Sequence, residues 1–388
     1  MPPPDGTAPV EWFWAAGPPA PGWPAVCRYR PARRGATLIF MQFYVLAFLA
    51  LIALIVIHEA GHFWVARLCR MRVEKFSIFF GPAIAKFQRN GTQYQIGTIP
   101  LGGFVQITGM NPLEEHDPND PFVYPNRPAW QRFLTILAGP WMNYIAAVLI
   151  VFALFLVWGI PQMSTTQQVT RVASDSGAAR AGLQPGDVLV SVDGEKVGID
   201  HQAPQILDRA AGRPVIVVVT RDGASRSFTV TTAKDDQGHY RMGVELVPLE
   251  EYRRAGVAEA LKESVVFPVL STYHIAQNLF DMARGKQKPD VSGPIRITKE
   301  LGQQFKRGPR DALAIIASLS IFLGFFNLLP VPALDGGRLA FLTYELVTRR
   351  RVNQRVEQGV HMIGAVLLMG LIVLIMFKDV RHLFAHGG

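Results

Sequence analysis

Four apolar stretches, Met41 to Ala66, Phe133 to Ile160, Ala312 to Leu329 and Val360 to Phe377, constrain this chain more than any other feature. At about 1.5 Å per helical residue, each is long enough to cross about 30 Å of hydrocarbon. A backbone inside lipid must satisfy its own hydrogen bonds, so stretches of this length are expected to be helices. The predicted fold class is a multi-pass α-helical membrane protein with four transmembrane helices. Hydrophobic residues make up 49% of the 388, in keeping with a lipid bilayer as the principal solvent.

A formal charge of +9 raises nucleic acid as a partner, but the basic residues flank apolar runs and form no stripe interleaved with aromatics. No nucleic-acid role is expected. The loop after the first run carries Arg67, Arg70, Arg72, Lys75, Lys86 and Arg89, with Arg127 and Arg132 before the second run; the loop after the third carries Arg338, Arg349, Arg350, Arg351 and Arg355. The positive-inside tendency makes both loops cytoplasmic and puts the segment 166–250 and both termini on the other side, against which Lys378 and Arg381 weigh mildly. Ala258 to Met282 is less apolar, and Lys262, Glu263, Gln277, Asn278 and Asp281 would be costly in lipid. An amphipathic surface helix is expected there, within a connecting region 251–311.

Residues 1–40 are rich in Pro, Gly and Ala, carry Arg28, Arg30, Arg33 and Arg34, and lack an apolar signal core. A disordered extension is expected, with Met41 as a second candidate for the start of translation. Cys27 and Cys69 fit neither a disulfide framework nor a zinc ribbon. Residues 41–160 then hold the first two spans and their loop, and 312–388 the last two.

The segment 166–250 reads as a β-rich domain, with a Pro185-Gly186-Asp187 turn, a strand Val188 to Val192, and strands Val215 to Thr220 and Phe228 to Thr232. Asp193-Gly194 and Asp222-Gly223 are hairpin turns. The stretch from Ser176 to Leu189, with Gly182-Leu183-Gln184-Pro185-Gly186-Asp187 at its centre, resembles a PDZ domain, a module that binds peptides by strand addition. In the first loop, Ala83 to Gln88, Thr92 to Thr98 and Phe104 to Thr108 are expected to be short strands, with a turn at Asn90-Gly91, beside the membrane.

His58-Glu59-Ala60-Gly61-His62 lies within the first apolar run. On a helix, residues four apart share a face, so both imidazoles can reach one ion while the glutamate stands beside it as a general base. Two histidines and a glutamate in an apolar span carry an insertion penalty of about several kcal/mol, which argues against an unpartnered structural role. A catalytic zinc wants a third protein ligand and one open position. Glu74 is one candidate, but it lies beyond the span among charged residues; Asp335, directly after the third run, is the better one. If the first and third runs cross in the same direction, His58, roughly 13 Å of helix before Arg67, and Asp335 fall at a similar depth.

With these residues in place, the chain resembles the bacterial site-2 proteases, the regulated intramembrane metalloproteases that include the sigma-E protease. The likeness rests on His58 to His62, Phe80-Gly81-Pro82, Ile99 to Val105, Gly139-Pro140 with Asn143, the PDZ-like insertion, Ser292-Gly293-Pro294-Ile295 and Asn327 to Gly337, in that order. It covers about residues 41–380 and implies a zinc metalloendopeptidase that cleaves transmembrane segments of single-span proteins in a bacterial inner membrane. His58, His62 and Asp335 would hold Zn2+ towards the cytoplasmic leaflet, and Glu59 would be the base. The resemblance further implies substrates such as anti-sigma factors or remnant signal peptides, an upstream site-1-type protease, and contact of Asn327 with the substrate backbone. Asn327 also fits a bridge between helices, and residues 83–108 fit either a re-entrant β-structure or a plain cytoplasmic hairpin. The sigma-E protease carries tandem PDZ domains where this chain has one, which leaves gating and recruitment of substrate open. A catalytically silent scaffold and a zinc transporter are the rival classes. An intact His58-to-His62 motif with Asp335 weighs against the first, and second and fourth spans that offer little polar beyond Asn143 and His361 weigh against the second.

Overall fold

The computed structural model describes residues 34–111, 117–197, 203–235, 238–286 and 294–385. They form two compact units, Trp158–Ala255 and a helical unit built from the chain up to Val157 and from Gly256 onward. Helix α1 spans Arg34–Leu68. Residues 34–40 therefore extend the helix and are not part of an irregular extension, while residues 1–33 lie outside the described residues.

Strands β1 (Val73–Arg89) and β2 (Thr92–Ile107) form an antiparallel hairpin. Its turn, Asn90-Gly91, has φ of +49° and +78°, the left-handed pair that a two-residue hairpin turn needs. Two long strands replace the short ones expected from sequence, because Gly102-Gly103 continues β2 and does not end a strand. The hairpin curls on itself: Ser77 has partners in both halves of β2, Phe104 and Gln95, and Gln95 also pairs with Lys86. Residues 73–78 are thus flanked by 103–107 on one side and by 93–96 on the other. A 3-10 turn, Tyr124–Asn126, leads into α2 (Ala129–Val157), which continues through Pro140.

The inserted unit contains β3 (Ile160–Val172), α3 (Gly177–Ala181), β4 (Val188–Val192), β5 (Glu195–Lys196), α4 (Ala203–Ala210), β6 (Val215–Arg221), β7 (Ala224–Val230), β8 (Ala233–Lys234), β9 (Tyr240–Arg241) and β10 (Val244–Arg253). Its main sheet has the order β10-β3-β4-β6-β7, with β5 beside β4. Alternating residues of β6, Val215, Val217 and Val219, are fully buried with Leu189, Val192, Ile206 and Leu207. Pairing of β3 with β10 runs out to Ile160 and Arg253, so the unit is wider than the 166–250 expected.

Among the described residues, the other unit continues with α5 (Val257–Ala283), α6 (Pro294–Arg307), α7 (Pro309–Leu328), α8 (Asp335–Thr348) and α9 (Gln354–Ala385). Among the described residues, four helical segments are long and apolar enough to cross a membrane, Gln42–Leu68, Ala129–Val157, Pro309–Leu328 and Arg355–Lys378, with bounds close to those read from the sequence. Helix α5 packs one face against α2. Its Ser264, Phe267, Pro268, Ser271 and Ile275 are buried, and Tyr144 of α2 meets Thr272 at 2.9 Å. Leu261, Val265, Val269 and Tyr273 are exposed along one line of the helix, and Lys262, Gln277 and Asn278 are exposed as well. Ser292 and Gly293 lie outside the described residues.

Candidate metal centre

The helical turn from His58 to His62 stacks the two imidazoles edge to face, ring centroids 4.9 Å apart, with their Nε2 atoms 3.2 Å from each other. Both aim at Asp335, the first residue of α8. Its Oδ2 lies 3.0 Å from His58 Nε2 and 3.2 Å from His62 Nε2. Four ligands at about 2.0–2.1 Å around a tetrahedral zinc stand about 3.3 Å apart, so these three donor atoms are spaced as that ion requires. Among the described residues they form the one group able to hold a metal, with both histidines buried and Asp335 half-buried. Burial acts to raise the pKa of Asp335, but the imidazoles beside it hold its carboxyl well below the usual carboxylate range.

Glycines let the helices approach this closely. A Cβ on Gly61 would sit 2.3 Å from the Ala138 carbonyl oxygen, and one on Gly139 would sit 2.2 Å from His62 Nε2. Any side chain at either position would force α1 and α2 apart. On α8, a Cβ at Gly336 would fall 1.9 Å from the Leu329 carbonyl oxygen, so the start of that helix folds tightly back on the end of α7. Arg132 of α2 and Glu345 of α8 pair at 2.5 Å, both largely buried, which fixes α8 against α2.

A histidine that binds metal through Nε2 carries its proton on Nδ1 and needs an acceptor there. For His62 the acceptor is the Thr135 carbonyl oxygen of α2, to which Nδ1 donates at 2.8 Å. For His58 it is the side chain of Asn143, whose amide lies 3.0 Å from Nδ1. In the drawn orientation Asn143 Nδ2 faces the ring and Oδ1 has no partner among the described residues. Turning the amide over makes Oδ1 the acceptor, as metal binding through Nε2 demands. Ser320 of α7 donates to the Asn143 carbonyl at 2.8 Å, joining a third helix to the site.

Glu59 points beside the donor atoms without joining them. Its carboxylate accepts the backbone N–H of Val105, and a Cβ on Gly103 would lie 3.5 Å from its Cγ, so β2 runs against the base. Glu74 is engaged elsewhere, accepting from Gln106 Nε2 at 3.0 Å and Thr108 Oγ1 at 2.9 Å. Asn327 donates to the Leu323 carbonyl at 2.9 Å within α7, and among the described residues it has no hydrogen bond to the cluster.

Asn143 enters the sequence reading through the family likeness, without a role; its signal is the amide itself, which, buried in a largely apolar helix, requires a partner, and His58 is that partner.

A sequence profile for peptidase family M50 matches residues 46–371. A Clostridium perfringens protein, provisionally named a zinc metalloprotease, is 32% identical over 340 residues, covering 87% of this chain and 98% of its own. A Nostoc protein of the same provisional name is 34% identical over 358 residues, 87% of this chain and 96% of its own. An Arabidopsis thaliana protein, provisionally named a chloroplast membrane metalloprotease, is 32% identical over 347 residues, 86% of this chain and 78% of its own. A solved PDZ domain from Listeria monocytogenes aligns with 23% of this chain and 94% of its own length, at 20% identity and a TM-score of 0.20.

Proposed function

The chain belongs to peptidase family M50, the site-2 protease family, and from that premise we propose that it is an intramembrane zinc metalloendopeptidase that cuts the transmembrane segments of single-span proteins. Membrane residence and a zinc-dependent protease chemistry follow from the family. The finer reading rests above all on one observation: His58 and Asp335, 277 residues apart, meet at 3.0 Å among helices apolar enough to lie in lipid.

In this reading His58, His62 and Asp335 hold the zinc, which when bound supplies a Lewis acid that makes water nucleophilic near neutral pH. The Thr135 carbonyl and Asn143 keep the two rings in the tautomer that offers Nε2. Glu59, steadied by the Val105 N–H, accepts the proton of the attacking water and passes it to the departing amine nitrogen. A helical substrate hides its peptide bonds in its own hydrogen-bond ladder and must be drawn out before attack. The curled β1–β2 hairpin, which runs against Glu59 at Gly103 and Val105, offers backbone partners to such an extended segment. Asn327, in the last turn of α7, is proposed to hydrogen-bond the freed substrate backbone.

The charge pattern supports an inner-membrane placement with the active site towards the cytoplasm and the β-rich unit on the opposite side. Anti-sigma factors and remnant signal peptides, trimmed first by a site-1-type protease, are the substrates proposed. The β-rich unit is read as a PDZ domain that favours such trimmed substrates. Deletion of 158–255 should raise cleavage of untrimmed substrates; no gain would count against that role.

The decisive assay uses purified protein and a model single-span peptide in detergent or bilayers. Cleavage within the apolar segment, abolished by a zinc chelator and restored by added zinc, is the expected result. Cleavage confined to soluble flanks, or unaffected by zinc removal, would overturn the reading.

A further inference from the structure

We propose that His361 is a positioning residue that sets the Asp335 carboxylate against the two imidazoles; the proposal rests on the metal-site reading above. His361 lies on α9, in a segment apolar enough to cross the membrane. Its Nδ1 accepts the backbone N–H of Ala333 at 3.0 Å. Ala333 has φ of +76°, a left-handed conformation that a residue with a Cβ adopts only when its surroundings hold it there. Within the same loop Val331 N donates to the Leu329 carbonyl, Leu334 N to the Val331 carbonyl and Gly337 N to the Leu334 carbonyl. Among the described residues, the Ala333 N–H has the imidazole as its acceptor.

The same ring touches the chain on the other side of Asp335. It packs against Phe341 of α8, centroids 5.8 Å apart, and a Cβ on Gly337 would lie 3.1 Å from its Cε1. One turn further along α9, a Cβ on Gly364 would fall 2.3 Å from Pro332 Cβ and 2.9 Å from the Pro332 carbonyl oxygen. One face of α9, carrying His361 and Gly364, therefore brackets the segment from Pro332 to Gly337 with Asp335 in its middle. Because Nδ1 accepts, the ring proton sits on Nε2, which is buried without a partner among the described residues. An apolar side chain there would avoid that orphan donor, so the ring's contribution is the single acceptor it turns to Ala333.

The test is zinc affinity, measured by competition with a chelator on purified protein alongside its thermal stability. His361→Ala should weaken zinc binding by about ten- to a hundredfold, the range seen when a group that orients a metal ligand is lost. His361→Asn, whose Oδ1 stands close to where Nδ1 stood, should recover most of that loss, and Ala333→Gly in the His361→Ala background should recover part by removing the left-handed penalty. Gly364→Ala should weaken zinc binding with His361 intact, and carries the test if His361→Ala does not accumulate. A purely structural role would lower the melting temperature while the folded fraction kept its zinc affinity, and that result overturns the proposal, as does an Asn variant no better than Ala. If the unaltered protein binds no zinc, the metal site itself fails and this inference with it; normal zinc binding by the unaltered protein, His361→Ala and Gly364→Ala alike defeats this inference alone.

Discussion

Glutamine in place of Glu59 should leave zinc bound and lower cleavage of a transmembrane peptide by about 10²- to 10⁴-fold, the range that a positioned general base contributes. The two side chains have nearly the same shape, and the glutamine carbonyl oxygen can still accept the Val105 N–H that Glu59 accepts. What is lost is a group able to take a proton from water. Glu59 is not among the three convergent donors, so its replacement should not release the metal. Metal analysis of the purified variant beside the cleavage assay separates the two effects. Zinc retained with activity lost is the expected pair of results, and unchanged cleavage would exclude Glu59 as the base.

The second large effect is expected from a change that conventional propensity favours. Alanine is a better helix former than glycine by about 1 kcal/mol, so Gly139→Ala in the middle of α2 looks harmless or stabilising. Its Cβ, however, would fall 2.2 Å from His62 Nε2, 2.5 Å from His62 Cε1 and 2.9 Å from His58 Nε2. No non-bonded carbon and nitrogen sit so close, and the atoms that must give way are the metal donors themselves. The variant should insert and fold but lose zinc and, with it, cleavage. Gly370→Ala is the matched control, since nothing lies within 4 Å of a Cβ added there, and it should bind zinc normally. If Gly139→Ala also bound zinc normally, α2 could not lie against the histidine pair as described, and the proposed centre would have to be rebuilt.

Much of this architecture is legible in the residues because it obeys local rules. The membrane-spanning lengths follow from hydrocarbon thickness and helical rise, and the helix bounds fall near those expected at 42–68, 129–157, 309–328 and 355–378. The Asn90-Gly91 turn was readable because a two-residue hairpin turn needs left-handed backbone, which that pair supplies readily. The curled β1–β2 sheet was harder. Glycines that ordinarily punctuate strands lie inside β2, and residues such as Ser77 and Gln95 pair on both sides, a property of the assembled sheet that no short window of sequence carries. The buried face of α5 was hidden for a related reason: Lys262, Glu263, Gln277, Asn278 and Asp281 dominate its local reading, while the burial of Ser264 and Ser271 depends on α2 packing over them.

Read along the chain alone, the residues establish apolar runs long enough to cross a membrane, a shared helical face for His58 and His62 with Glu59 beside them, and Asp335 directly after another such run. These follow from periodicity, length and charge, all of which act over a few residues. The approach of Asp335 to within 3.2 Å of both rings, the partners Thr135 and Asn143 that orient them, and the room made by Gly61 and Gly139 emerge once the helices pack. Those outcomes depend on the distance between helices far apart in the chain, set by packing of side chains, or their absence, on facing surfaces.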